Sequence, residues 1–299
     1  MSPSVALFLH VLALAVALIG LTGCAVSSRT RAPDGFHPSD ERSFQDYTVR
    51  VYQGDESKAG FLEILRRGRR VYSTAGWRFG IDRLPYAHTT DALAGMGRSI
   101  TSDGLPNLVV AEWTGGAHCC FVFRIFEIGK RFRLVDTINA RHSEQTTFRD
   151  LRGDGTLEVV MNDWTFAYWN TSFADSPAPQ VILRYRAPKY VPDLELMRKP
   201  APTAAELVAQ ADALRSEFKP EDDFNGNKRW KVPPALCGAM LDLIYTGNLE
   251  SARQLCDRAW PDTWPGKREF LREFREQLAT SPYYQDLLRL NPSGMRPLL

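Results

Sequence analysis

Short runs of alternating hydrophobic and polar positions, rich in β-branched and aromatic residues, fill the chain between residues 44 and 199. Such runs predict β-strands. Three similar units follow one another: "DYTVRVYQ" with "FLEILRRGRRVYS", "NLVVAEW" with "FVFRIFEIGKRFRLVD", and "TLEVVMNDW" with "VILRYRAPKYVPD". Tight turns at Gly68, Gly129 and Ala187-Pro188 recur about every 60 residues, which indicates internal repetition. We therefore predict an antiparallel β-meander of about three blade-like repeats, fewer than the four to eight blades of a closed propeller.

Beyond residue 200 the hydrophobic positions recur with helical spacing instead. Thr203 and Glu206 form a capping-box pattern, which predicts a helix start. Further helices are predicted over 234–246, 249–260, 266–280 and 283–290. The fold class is thus α+β, with a β-rich repeat domain over 44–199 and a small helical domain over 200–299. The hairpin "LIYTGNLESARQLCDRAWP" resembles one half of a tetratricopeptide-type repeat pair, although a generic pair of antiparallel helices is the favoured explanation.

The N-terminal segment is apolar from residue 5 to 21 and ends in "LTGC". This resembles the lipobox of bacterial outer-membrane lipoproteins, in which the chain is cut before the cysteine. The resemblance implies a signal peptide over 1–23 and lipid, including palmitate, on the sulfur and the amine of Cys24. The polar stretch that follows contains Pro, Ser and Gly without periodicity, which predicts a flexible tether over 24–43. Ala25 follows the cysteine, which by the same resemblance favours anchoring in the outer membrane, facing the periplasm. The membrane would then be one partner of this protein.

The net charge of the chain indicates which classes of partner the protein does not bind. The whole chain carries a formal charge of +2, and residues 1–23 contain no charged side chain. A balance this close to zero argues against a dedicated nucleic-acid-binding protein. The sequence also lacks the Walker A, G-x-S-x-G and H-E-x-x-H motifs, so it indicates no enzyme class.

Cysteine spacing suggests two disulfides in an exported chain. Cys237 and Cys256 lie at matching heights on a predicted helical hairpin that turns at Gly247, so we expect them to be bridged. Cys119 and Cys120 are adjacent in "TGGAHCCF". Three alternatives remain open for them: a disulfide between neighbours, a metal site with His118, or buried free thiols.

Two acidic glycine-containing loops precede equivalent strands. "DLRGDGTLEVV" and "SITSDGLPNLVV" are similar to the calcium loops of integrin-type and bacterial adhesion-type β-propeller repeats. The resemblance implies Asp150, Asp154 and Glu158 as calcium ligands in the later loop, and Asp103 and Asn107 in the earlier one. Arg152 stands where the family has an oxygen ligand, so the alternative is a pair of structural Asx-type turns with no cofactor.

An aromatic segment, "NDWTFAYWNTSF", offers the best candidate for binding. Trp164, Phe166, Tyr168 and Trp169 suit recognition of a peptide or a sugar, although core packing beneath a long loop explains them too. The sequence therefore predicts a non-catalytic binding or scaffolding lipoprotein whose partner is an envelope protein or a glycan. The alternative is a redox- or metal-responsive protein centred on His118, Cys119 and Cys120.

Overall fold

The computed structural model describes residue 32 and residues 34–55, 59–85, 92–117, 119–222, 228–229 and 231–292. The predicted signal peptide, residues 24–31 and 33 of the predicted tether (Cys24 among them) and His118 lie outside these residues. Within them, no helix is both long and apolar enough to cross a membrane.

The first sheet is an antiparallel meander of four strands. They are β1 (Phe36–Phe44), β2 (Tyr47–Gly54), β3 (Gly60–Arg66) and β4 (Arg69–Gly76), hydrogen-bonded in chain order. Strand β1 begins inside the segment predicted as a tether, so the prediction of a flexible linker is wrong for residues 36–43. The reason is pairing: the polar residues of β1 carry little hydrophobic signal, yet their backbone pairs with β2 along its whole length.

The second sheet repeats this arrangement. Its strands are β5 (Arg78–Ile81), β6 (Asn107–Trp113), β7 (Phe121–Ile128) and β8 (Phe132–Arg141), again antiparallel and in chain order. Strand β6 is buried at every residue from Asn107 to Glu112, which indicates that both faces of this sheet are covered.

The third sheet contains β9 (Thr147–Arg149), β10 (Glu158–Asn162), β11 (Gln180–Arg186) and β12 (Lys189–Pro192). Their spatial order runs β12-β11-β10-β9, so this unit is also a meander. A minimal two-stranded pair follows later in the chain, β13 (Glu221–Asp222) with β14 (Lys228–Arg229).

Two hydrophobic clusters show how the sheets are layered. Leu108 and Val110 of β6 pack with residues of the first sheet in one cluster. Val109 and Ala111, on the opposite face of the same strand, belong to a larger cluster that continues through the third sheet into the helices. The second sheet is therefore a shared layer, which follows from the two-residue alternation of side chains along a strand.

Six helices cover the C-terminal part of the described chain. They are α1 (Leu194–Met197), α2 (Ala204–Arg215), α3 (Pro234–Tyr245), α4 (Leu249–Ala259), α5 (Lys267–Ala279) and α6 (Tyr284–Leu290). Thr203 and Glu206 form the predicted capping box at the start of α2. The predicted fold class is confirmed: three four-stranded antiparallel meanders precede a helical region, as expected for an α+β protein.

Candidate functional site

Three loops converge on one pocket at the end of the second and third sheets. They connect β6 to β7 (residues 114–120), β8 to β9 (142–146) and β10 to β11 (163–179). The cavity between them has a volume of about 350 Å³, and its larger lining side chains are Trp113, Phe121, His142, Asn162, Trp164 and Phe173. The fold thus brings "TGGAHCCF" and the aromatic segment, which are some 45 residues apart, to the same place.

The aromatic segment splits between the core and this pocket. Phe166 is buried, and Trp169 packs with its ring centroid 5.8 Å from that of Phe270 on α5. Trp164 instead lies parallel to Phe173, with centroids 5.0 Å apart and an interplanar angle of 9°. Of the predicted binding residues, Trp164 is therefore the one that lines the pocket, whereas Phe166 and Trp169 serve the hydrophobic core.

Tyr168 takes a third position, at the edge of the cluster. Its side chain is 55% exposed, and its ring centroid lies 5.4 Å from that of Phe173. Its backbone adopts a left-handed conformation with φ of 60°, and its N–H donates to the Ser176 hydroxyl at 2.8 Å. This turn directs the loop back toward β11, so Phe173 can reach Trp164.

A buried carboxylate anchors the aromatic loop to the helices. One oxygen of Asp163 accepts hydrogen bonds from the Thr165 N–H (2.9 Å) and hydroxyl (2.7 Å). Its other oxygen accepts from Tyr245 Oη (2.6 Å) on α3 and Ser281 Oγ (2.5 Å) after α5. Burial, followed by the nearby Asp163 carboxylate, raises the pKa of Tyr245, which keeps the phenol a donor. Trp164 therefore sits beside a rigid junction.

The loop over 142–146 is held to the same strand end. Ser143 Oγ accepts a hydrogen bond from the Asn162 N–H at 2.9 Å. The Asn162 side chain donates in turn to the Ala178 carbonyl at 2.7 Å. The ring of His142 meets Trp164 and Phe173 edge-on, at centroid distances of 5.5 and 5.1 Å. These contacts fix the floor of the pocket before any ligand binds.

The third loop carries a disulfide between Cys119 and Cys120. The loop is closed by two hydrogen bonds: the Thr114 N–H donates to the Cys120 carbonyl (2.9 Å), and the Cys120 N–H donates to the Thr114 hydroxyl (3.0 Å). Gly115 has φ of 100°, and a Cβ at this position would lie 2.7 Å from the ring of Trp77. Glycine is therefore required where this loop approaches the indole.

The structure forms the neighbour disulfide, one of the three alternatives that the sequence left open. The peptide bond between the two cysteines is cis. Both sulfurs are used in the bond, so in this state they cannot act as the thiolate ligands of a zinc site. No group of three or more His, Cys, Asp or Glu side chains within the described part of the chain could hold a metal ion.

The expected bridge between Cys237 and Cys256 is absent. Both residues are buried free thiols in the structure. Cys237 lies on α3 and borders a separate cavity beside Trp169 and Pro177, although α3 also contacts α4, where Cys256 lies. Matching heights on a hairpin do not guarantee matching directions around each helix axis, and packed helix axes lie about 8–10 Å apart. Burial raises the pKa of the Cys256 thiol to about 12 and also raises that of Cys237.

The predicted calcium ligands of the later loop have other partners. The carboxylate of Asp150 accepts from the backbone N–H of Gly153 (2.6 Å), Asp154 (3.1 Å) and Gly155 (2.8 Å). Arg184 pairs with Asp154 at 2.6 Å and with the fully buried Glu158. A guanidinium from the neighbouring strand β11 thus pairs with two of the three predicted calcium ligands, and its positive charge opposes a divalent cation there.

The other members of these loops behave in the same way. Arg152 turns away from the loop and pairs with Asp193 (2.9 Å) and Glu195 (2.9 Å). In the earlier loop, Asp103 accepts from the Thr101 hydroxyl at 2.8 Å. The side-chain oxygen of Asn107 accepts from the Ile100 N–H at 2.9 Å. Both loops are therefore structural turns that lead into strands.

Sequence reasoning missed several residues of the pocket. Asn162 and Ser143 carry no motif, and Trp113 and Phe121 have the pattern of ordinary strand residues. Asp163 gave a usable signal, since an aspartate between strand residues and a tryptophan must find hydrogen-bond donors if it is buried. Its donors come from 82 and 118 residues farther along the chain, so no local pattern reveals them.

Comparisons with known protein families, with curated proteins and with solved structures find no match to this chain. The functional argument therefore rests on the residues of the pocket.

Proposed function

We propose that this chain is a lipid-anchored protein of the bacterial cell envelope that binds a partner, without catalysis, at the three-loop pocket. The convergence of three loops on a half-buried pair of parallel aromatic rings carries the proposal. Preformed concave sites with aromatic walls and a few polar groups are typical ligand sites. The partner class is an envelope protein or a glycan, as the aromatic segment predicts.

The envelope location rests on the lipobox-like "LTGC", with Cys24 as the lipidated residue. The disulfide between Cys119 and Cys120 supports an oxidising compartment, because disulfides persist outside the cytosol. The three successive meanders support a distant relation to integrin-type and adhesion-type repeats, without their calcium. The helical hairpin formed by α3 and α4 stays compatible with the tetratricopeptide-like resemblance.

Binding at the pocket is tested by partner capture from envelope extracts. The wild-type chain in detergent is compared with the variants Trp164→Ala and Val208→Ala. Val208→Ala is the control, because Val208 lies on the exposed face of α2 and does not line the pocket. We expect Trp164→Ala to lose a partner that the wild type and the control both retain. Equal capture by all three proteins would refute the pocket as the binding site.

The lipid anchor is tested by metabolic labelling with palmitate. We expect the wild-type chain to be labelled and Cys24→Ala to lose the label.

A second candidate function is redox sensing, and the position of the disulfide favours it. Trp113 and Phe121 flank the loop that carries Cys119 and Cys120, and both line the pocket. Reduction would therefore act directly on a pocket wall. Thiol alkylation followed by mass spectrometry of the protein in cells, with and without oxidative stress, tests this function. A pair that stays oxidised under every condition would leave only a structural role.

A further inference from the structure

We propose that the ligand of the three-loop pocket is a neutral pyranose ring of a glycan. This inference rests on the proposed function and deepens it by naming the ligand class. The alternative ligand, a peptide segment of an envelope protein, becomes an outcome of the test.

The aromatic wall supplies the first argument. Trp164 and Phe173 are stacked on each other, and His142 contacts both rings edge-on, so the group is a rigid apolar wall in which only the outer faces of the stacked pair are left for a ligand. The face of an aromatic ring carries partial negative charge. One face of a pyranose ring presents C–H groups, whose hydrogens carry partial positive charge. A sugar ring can therefore pack flat against this wall and keep its hydroxyl groups directed to the sides.

The polar rim supplies the second argument. Asn162, Gln145 and Glu144 border the same cavity and offer amide and carboxylate groups to hydroxyls. The indole N–H of Trp164 is enclosed by the protein, so the polar contacts of a ligand fall to these rim residues. A sugar hydroxyl accepts and donates, which matches this mixed rim.

Charge and size narrow the ligand further. None of the described residues that line the pocket is Lys or Arg, and Glu144 is acidic. Apart from His142, the described lining therefore offers no cationic side chain to phosphorylated or carboxylated ligands. A volume of about 350 Å³ lies near the lower limit of known ligand sites, about 300–1,000 Å³, and suits one or two small rings.

The strands around the pocket leave the peptide as an outcome of the test. Peptides often bind by adding a strand to a free sheet edge. Strands β6, β7 and β10 are hydrogen-bonded to a neighbour on both sides, whereas β8 and β9, which the loop over 142–146 joins, are edge strands of their sheets. The choice of a glycan therefore rests on the aromatic wall and the polar rim.

The test is saturation-transfer NMR and calorimetry on the full chain in detergent micelles. The probes are maltotriose and tri-N-acetylchitotriose as neutral glycans, glucose 6-phosphate as a charged sugar, and an uncharged nine-residue peptide containing proline and tyrosine. We expect one neutral glycan to bind, with protons of a single ring face saturated, and no binding of glucose 6-phosphate.

Three variants test how much the aromatic ring of Trp164 contributes to glycan binding. Trp164→Ala should weaken glycan binding by about tenfold or more, because the aromatic surface is lost. Trp164→Phe keeps a ring and should lose less. Val208→Ala is the matched control and should bind as the wild type does. The inference is overturned if neither of the two glycans binds, or if a glycan binds to Trp164→Ala with the same affinity as to the wild type.

The outcomes also separate this inference from the proposed function. If the peptide binds and Trp164→Ala abolishes that binding, the glycan inference fails and the pocket remains a binding site. If no probe binds and Trp164→Ala captures the same envelope partners as the wild type, both fail. Circular dichroism of each variant verifies that the fold is retained, so that a loss of binding reports on the pocket.

Discussion

Removing the carboxylate of Asp163 should destabilise the junction between the third sheet and the helices. The side chain is only 3% exposed, and it accepts four hydrogen bonds from Thr165, Tyr245 and Ser281. In Asp163→Ala these donors stay buried and lose their acceptor. Each unsatisfied buried donor costs about 1–3 kcal/mol, and the hydroxyls can recover part of this by turning toward other acceptors or water.

We therefore expect Asp163→Ala to lower the free energy of unfolding by about 3–5 kcal/mol, as for other broken buried polar networks. Asp163→Asn keeps the shape and one oxygen, so its cost should be smaller, about 1–2 kcal/mol. Tyr245→Phe removes a single donor and should fall in the same lower range. Because Asp163 precedes Trp164, the larger perturbation should also weaken any ligand binding at the pocket.

The assay is urea unfolding of the full chain in detergent, followed by circular dichroism and analysed by linear extrapolation. Asp175→Ala is the matched control: it removes an exposed carboxylate that accepts from the Ser172 hydroxyl at 2.7 Å. Its effect should stay within about 0.5 kcal/mol. A cost below about 1 kcal/mol for Asp163→Ala would refute the view that this carboxylate joins sheet and helices.

Three further predictions concern charge and sulfur chemistry. The hydrogen bond from Arg184, then that from a backbone N–H, lowers the pKa of Asp154. The stabilising effect of this carboxylate is therefore present above its unfolded-state pKa of about 4 and is lost as pH falls through the folded-state pKa. Asp154→Asn should differ from the wild type in urea midpoint at pH 7, and the difference should shrink steadily as the pH is lowered below about 4; a constant difference would contradict this. Calcium at millimolar concentration should leave the melting temperature unchanged, because Arg184 occupies the carboxylate group; a calcium-dependent rise would reinstate the metal site. Cys256 should react with iodoacetamide only after denaturation, since burial raises the pKa of its thiol to about 12; rapid labelling of the native protein, read by mass spectrometry, would refute this.

Local pattern predicted the fold class and three strands of each meander. The alternation in "FVFRIFEI" and the capping box at Thr203 both act over a few residues, so they identify strand β7 and helix α2 without tertiary information. The first strand of each meander, β1, β5 and β9, was not predicted. Strand β1 has mostly polar and exposed side chains, and backbone pairing with β2 orders it.

Contacts between side chains that are far apart in the sequence could not be predicted from local pattern. Spacing placed Cys237 and Cys256 at one height, but the direction of each thiol depends on how α3 and α4 rotate against the sheet. The sequence of the acidic loop resembles a calcium site, but in the structure Arg184 from another strand pairs with Asp154 of this loop. A one-dimensional pattern shows that a side chain is acidic or apolar, and only the fold decides which charge or surface it meets.

The sequence by itself determined the three meanders, the helical end and the aromatic segment, because strand and helix periodicity are local properties. The tertiary structure alone decided that the disulfide loop, the His142 loop and the aromatic loop form one pocket. It also divided the aromatics, with Phe166 and Trp169 in the core and Trp164 at the pocket. The physical reason is that the packing of three sheets and a helical region determines which loops meet, and burial then determines which of their side chains lie in the core.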